Sequence, residues 1–454
     1  MKTKTLPNPL ILTFFLLLMT DVLSLKAQTR LEDYVQEGLQ NNLVLQQKNI
    51  SLEQAQTALA IARSNFLPSV NLLGDYTSGK GGRSISIPIG DLLNPVYASL
   101  NQLTQSDAFP QVENVKQNFF PHNFYDARVR TSMPIVNTDI MMNRVIRSQQ
   151  VLLQQQDLDA YKRQLVLDIK SAYYNYRSAT EAVKIYESAL QLVKKNVEIN
   201  ESLLKNGKSL PANYLRSKSE AEKVLADLTS AQNNVSNARK YFNFLLNRDL
   251  DTSINDDIAL TETASQRYDS SSYTQREELM MLQTQREIAY STLKMSRLSR
   301  APKLSAYLDL GAQASDWKYN SDARYHLVGV QFSMPIFQGF RTQYNIHNSK
   351  LDVRKAELGL SHTSRQLRLS SEIAKNNLET SFRNLEAARE QTKAAQSYFH
   401  LVEKGYTQGV NSLIEFLDAR NQLTTSQLSE NVKLYEMLTS AAALERETAS
   451  YAIR

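Results

Sequence analysis

The longest regular pattern lies in the middle of the chain. Between Thr138 and Asn206 there is neither glycine nor proline, the residues that most readily interrupt a helix. Apolar side chains fall at Leu165, Ile169, Ala172, Tyr176, Ala179, Val183, Tyr186, Leu190, Val193 and Val197. The steps alternate four and three, a period of ~3.5 residues that predicts a coiled-coil seam. As one helix, Asp139–Asn206 would extend on the order of 100 Å at ~1.5 Å per residue. A second seam runs beside it through Ala182, Ile185, Ala189, Leu192, Ile199 and Leu203. A helix with two adjacent seams packs on two neighbours, which suits the wall of a tube better than a two-stranded rod. The signal repeats from Ser217 through Val224 and Ala231 to Leu245, and again from Ala374 through Leu385 and Ala395 to Val402.

Elsewhere the period changes to two. Leu304, Ala306, Leu308, Leu310, Ala312 and Ala314 alternate with polar or small residues. His326, Val328, Val330, Phe332 and Met334 do the same, as do Val70–Tyr76 and Tyr125–Val136 less cleanly. Segments of about ten residues with this alternation fit transmembrane β-strands. Tyr76, Phe119, Phe120, Phe124, Tyr125, Trp317, Tyr319 and Tyr325 cluster near one end, as an aromatic girdle would. The alternative reading of these segments is a soluble hairpin capping a coiled coil.

The chain also contains its own copy. Ser132-Met-Pro-Ile135 recurs as Ser333-Met-Pro-Ile336, 201 residues on. Gly207 and Gly409, which supply the positive φ that ends a helix, are 202 residues apart. Equal spacing predicts two antiparallel helical hairpins whose tips end at one level. Pro68 and Pro302 are a matching pair upstream, but 66 residues separate Pro68 from Pro134 and only 33 separate Pro302 from Pro335. The difference is an insertion at about 78–122, expected as a large loop on a strand hairpin. The organisation is then a first repeat over 28–246, a polar equatorial linker over 247–275 and a second repeat over 276–454. Each repeat supplies two strands, so one chain supplies four. The smallest bacterial membrane barrels have about eight, and open edges are not tolerated in lipid. Three chains would close twelve strands and six helical hairpins into one cyclic assembly.

Residues 1–27 read as a secretory signal peptide, with Lys2 and Lys4 ahead of an apolar run and Ala27 at the cleavage site. An uncleaved membrane anchor is the alternative. Cleavage lowers the net charge from +6 to +4. The chain has no cysteine, which excludes disulfides, thiolate metal sites and a lipid-anchoring cysteine. Mixed charge along the chain argues against nucleic acid as a partner. The five histidines are scattered, and there is no HExxH, phosphate-binding loop or GxSxG motif. Neither an enzyme nor a resident cofactor or metal is expected. The adjacent Met141 and Met142 admit a metal-efflux reading, but two methionines at a helix start more often serve packing.

With these features the chain resembles the TolC-like outer membrane efflux protein family. The most specific match is Tyr406-Thr-Gln-Gly-Val-Asn-Ser-Leu-Ile-Glu-Phe-Leu-Asp-Ala419, similar to the family's signature at the inner hairpin turn. The resemblance covers nearly all of the chain after its leader. It implies a membrane α+β fold: a trimeric twelve-stranded outer-membrane β-barrel continuous with a periplasmic α-helical barrel of coiled-coil hairpins. It implies a passive exit duct in a Gram-negative bacterium, partnered by outer-membrane lipid, a periplasmic adaptor (membrane fusion) protein and, through it, an inner-membrane pump. The hairpin tips, Gly207, Ser209, Leu210, Gly409, Ser412 and Leu413, would dock the adaptor. Glu415 and Asp418 match the family's acidic constriction at the entrance. The alternative role for these two is charge at the first turn of the returning helix. Asn213 and Asn411 stand where relatives carry charged partners that hold the entrance closed, so Tyr406 with these asparagines would form a neutral lock. The competing function is a secreted or surface-attached structural coiled-coil protein, which has no need of strands opposite equal hairpins.

Overall fold

The computed structural model describes residues 31–120, 122–255 and 272–453. The expected leader at 1–27 and linker residues 256–271 lie outside the described residues. The chain divides into two compact units, one formed by 57–147 and 291–350, the other by the remaining segments.

In the first unit, strands β1 (Ser69–Thr77), β4 (Phe124–Val136), β5 (Lys303–Ser315) and β6 (Arg324–Ser333) form one antiparallel sheet in the order β1-β4-β5-β6. The register aligns Leu72 with Val129 and Val129 with Leu310, and it aligns Leu308 with Val328. The alternation therefore sorts one apolar face from one polar face. The apolar face has no cover among the described residues: Leu72 is 81% exposed and Val328 72%. On the polar face Arg130 donates two hydrogen bonds to Asp309, at 2.7 and 2.6 Å, and lies over the Tyr307 ring. Arg128 pairs with Asp126 and with Asp75, and the Tyr325 hydroxyl donates to Asp126 at 2.8 Å. At one end of the sheet Trp317 stacks on Tyr76 and on Tyr125. Strands β1 and β6 are the two edges, each paired on one side only.

The repeated Ser-Met-Pro-Ile segments fold differently. Strand β4 is internal and runs through Pro134, with a register shift between Pro134 and Val136. Strand β6 is an edge and stops at Ser333, and the chain then turns through Gly339 and Phe340 at positive φ. Proline, which cannot donate to a ladder, is accommodated within the internal strand β4 by this bulge. The insertion expected as a loop carries structure of its own. It holds a two-stranded ladder of β2 (Ser84–Ile87) and β3 (Val115–Asn118) and a helix, α3 (Ile89–Thr104).

The other unit is helical. It is built from α1 (31–41), most of α2 (Leu43–Ser64), α4 (Thr138–Lys205), α5 (Pro211–Leu245), α6 (Glu277–Leu298), α7 (Arg341–Thr407) and α8 (Leu413–Glu447); α2, α4, α6 and α7 also enter the first unit. The seams are its cores. Leu165, Ile169, Ala172 and Tyr176 of α4 meet Phe242 and Leu245 of α5 and Val35 of α1. Ala189, Leu190 and Val193 meet Val224 and Leu228, with Ala395, Phe399 and Val402 of α7 and Phe416 and Leu417 of α8. Ala374, Leu378 and Leu385 meet Tyr435, Leu438 and Ala441. Arg163 donates to both carboxylate oxygens of Glu277, at 2.7 and 2.6 Å, which ties α4 to α6. Among the described residues no helix is long and apolar enough to cross a membrane.

Both helical hairpins turn by the same device. The N–H groups of Gly207 and Lys208 donate to the carbonyls of Leu204 and Leu203, and those of Gly409 and Val410 to the carbonyls of Tyr406 and Gly405. Gly207 and Gly409 sit at φ +69° and +77°, the Schellman arrangement. A Cβ in this left-handed region costs roughly 1–2 kcal/mol. Gly409→Ala is therefore expected to lower stability by about that amount, read by thermal unfolding of the helical signal. An unchanged midpoint would contradict the strained-turn account.

Candidate functional site at the hairpin tips

The tips bring four helices together. Pro211 occupies the first turn of α5, where its missing N–H costs nothing. Ser412 caps α8: its hydroxyl accepts from the Glu415 N–H at 3.3 Å, and the Glu415 carboxylate accepts from the Ser412 N–H at 2.7 Å. This is a complete capping box. The Ser412 backbone N–H, with the Ser412 hydroxyl and the Asn411 amide, holds the Glu415 carboxyl below the usual carboxylate range. Glu415 and Asp418 are both exposed, one turn apart on α8. Glu415 thus takes the helix-terminus role and keeps its negative charge at the surface.

The three residues considered for a neutral lock do not bond one another within the chain. Asn213 donates to the Ser209 hydroxyl at 3.1 Å, and Asn411 to Glu415 at 3.4 Å. The Tyr406 hydroxyl instead accepts from Asn196 at 3.3 Å and Asn200 at 3.1 Å. Asn196 also accepts from the Ser217 hydroxyl at 2.9 Å. Asn196, Asn200 and Ser217 are all buried, and the Tyr406 ring stacks on Phe416. The network joins α4, α5 and α7. Tyr406→Phe would leave the buried Asn196 amide without this acceptor, while Asn200 keeps the Asn196 carbonyl and side-chain oxygens; an unsatisfied buried donor costs about 1–3 kcal/mol. The expected result is a lower thermal midpoint and faster proteolysis at the tips. Wild-type behaviour in both would remove the network from the account.

Apolar periodicity alone does not single out these asparagines. The seam continues from Val193 through Asn196 and Asn200, again by three and four, while Val197 is half-buried beside it. Nor does apolar periodicity single out Glu220 and Arg420. The Arg420 Nη2 lies 2.6 Å from the Glu220 Oε1, and both residues are buried between α5 and α8. Burial pulls the guanidinium below its ordinary value, and the charge and hydrogen bond of Glu220 offset part of that.

Of the expected docking residues, Leu210 is exposed and Leu413 is buried in the tip core. The exposed apolar surface beside Leu413 comes from Val410 and Ile414, 79% and 72% exposed.

Known proteins share this chain's family and fold. The family described as Outer membrane efflux protein matches residues 34–248 and 269–449. Outer membrane protein TolC of Escherichia coli (strain K12) is 20% identical over 423 residues, covering 88% of this chain and 78% of that protein. The outer membrane protein VceC of Vibrio cholerae superposes with a TM-score of 0.74 at 17% identity, covering 92% of this chain and 96% of that one. The CmeC outer membrane channel of Campylobacter jejuni gives 0.73 at 16% identity, over 92% and 85%. The latter two show the shared fold. The chain therefore belongs to the outer membrane efflux protein family, with its place in the outer membrane and its extension into the periplasm.

Proposed function

We propose that this protein is the passive exit duct of a tripartite efflux or secretion system. The observation that carries the reading is a four-stranded sheet with an uncovered apolar face and two unpartnered edges. In lipid such edges require partners, and three copies give a closed barrel of twelve strands. The apolar faces then meet lipid, and the Arg130–Asp309 and Arg128–Asp126 pairs line the lumen. The second seam supports the same assembly: Ile199 is 38% exposed within one chain and would be covered by a neighbouring copy.

The tips face a periplasmic adaptor, which links the duct to an inner-membrane pump. Leu210, Val410 and Ile414, around Gly207, Ser209, Gly409 and Ser412, supply the apolar contact surface. Six carboxylates, Glu415 and Asp418 from three copies, surround the entrance and select for cations. Energy comes from the pump. The test is reconstitution of the purified protein in a planar lipid bilayer without nucleotide. Discrete conductance steps are expected, and a non-conducting protein would sink the proposal. A structural stalk has no use for an uncovered apolar strand face.

A further inference from the structure

The two faces of α3 differ in chemistry. On one face Asn94 and Asn101, seven residues apart, clip the following extended chain to the helix. Asn94 donates to the Val112 carbonyl at 3.1 Å and accepts from the Val112 N–H at 2.8 Å. Asn101 does the same with Phe109, at 2.8 and 2.9 Å. Tyr97 packs on the Phe109 ring between them. A Cβ on Gly90 would stand 2.4 Å from the Val112 carbonyl oxygen, so this close approach requires glycine. That face is occupied.

The opposite face carries Leu92, Val96, Ser99 and Leu103. The steps are four, three and four, the spacing of a coiled-coil seam. Leu92 is 68% exposed, Val96 52% and Leu103 80%. The Ser99 hydroxyl donates to the Pro95 carbonyl at 3.0 Å, so it brings no unpartnered group to an interface. Among the described residues this seam has no partner.

We propose that this seam packs on the same seam of two further copies of the chain, so that three α3 helices form a parallel coiled-coil cap over the outer mouth of the barrel. The inference rests on the trimeric duct proposed above. The insert leaves the edge strand β1 at Thr77, beside the aromatic end of the sheet. Closing the barrel through that edge sets three inserts around one axis with like faces related by rotation. Helices aligned with that axis stay parallel under the rotation. Charge argues against lipid as the occupant. From Ser84 to Val115 the only charged residues are Asp91, Asp107 and Glu113, all acidic. A helix that lies on an anionic lipid surface carries Lys and Arg on its polar face, and α3 has neither.

The absence of native cysteine makes the test direct. Val96→Cys and Leu103→Cys, each in the full chain, are oxidised in outer membranes and run on a denaturing gel beside Ala98→Cys. Ala98 is exposed on another side of α3. Disulfide-linked pairs of chains are expected for the first two variants and not for the third. Oxidised Val96→Cys should also conduct several-fold less than the reduced protein and recover with dithiothreitol. The mass of the unoxidised protein in mild detergent is measured in parallel. A trimer in which neither seam cysteine cross-links, or in which Ala98→Cys links equally well, overturns the cap alone. A monomer overturns the cap and the duct together.

Discussion

Glu220→Ala is expected to loosen the tip core more than any other single change considered. It leaves the Arg420 guanidinium, 2% exposed, without its carboxylate in a site closed to water. Removing one partner of a buried ion pair costs about 3–5 kcal/mol, because the remaining charge stays unpaired. Replacing both partners with apolar residues of similar volume is close to neutral. Glu220→Ala should therefore lower the thermal midpoint and expose the tips to protease, and the double variant Glu220→Leu with Arg420→Met should recover most of the loss. If the double variant is as unstable as the single one, the pair holds the tips through a specific geometry that apolar packing cannot replace. If Glu220→Ala behaves as wild type, the pair is not buried as described.

Loss of cation preference is the expected result for Glu415→Ala with Asp418→Ala. In a trimer the pair of substitutions removes six carboxylates from one opening, and the reversal potential in a salt gradient should fall towards zero. The single variants differ in a second respect. Glu415 also completes the Ser412 capping box, so Glu415→Ala should weaken the start of α8, while Asp418→Ala should change selectivity alone. The pH dependence follows from the depressed pKa of Glu415. A carboxyl with a lower folded-state pKa contributes stability that is fully present above its unfolded value of about 4.3 and lost as pH falls through the folded value. Capping by Glu415 should thus persist through mildly acidic pH and disappear only below the ordinary carboxylate range. Selectivity unchanged by the double substitution would show that the constriction lies elsewhere.

Much of this architecture is written in periodicity. The seam of α7 is buried at Ser371, Ala374, Leu378, Ser381, Leu385, Ala388, Thr392, Ala395, Phe399 and Val402, because a 3.5-residue repeat keeps one side of a helix facing its partner. Strands β1, β4, β5 and β6 fall within two residues of the alternating segments, because a period of two admits only one face to each environment. The turn glycines were equally legible, since both need positive φ. The helix in the insert was not. Pro95 stands inside α3, and Asn94 and Asn101 look like loop residues. They satisfy the backbone of an extended segment in place of a hydrophobic core. The tip network escaped notice for a related reason. Asn196, Asn200, Glu220 and Arg420 hold seam positions that apolar periodicity skips, and their partners lie about 200 residues away in sequence or across a hairpin. The proposed contacts between copies would show in one chain only as surfaces left uncovered, such as Ile199 and the seam of α3.

The most direct measurement is the mass of the mature protein extracted from outer membranes in mild detergent, before and after heating. A heat-sensitive species at three times the chain mass is the predicted result, because only additional copies can pair the edges of β1 and β6. A monomer that stays folded without partners in the soluble periplasmic fraction would contradict the account at its centre.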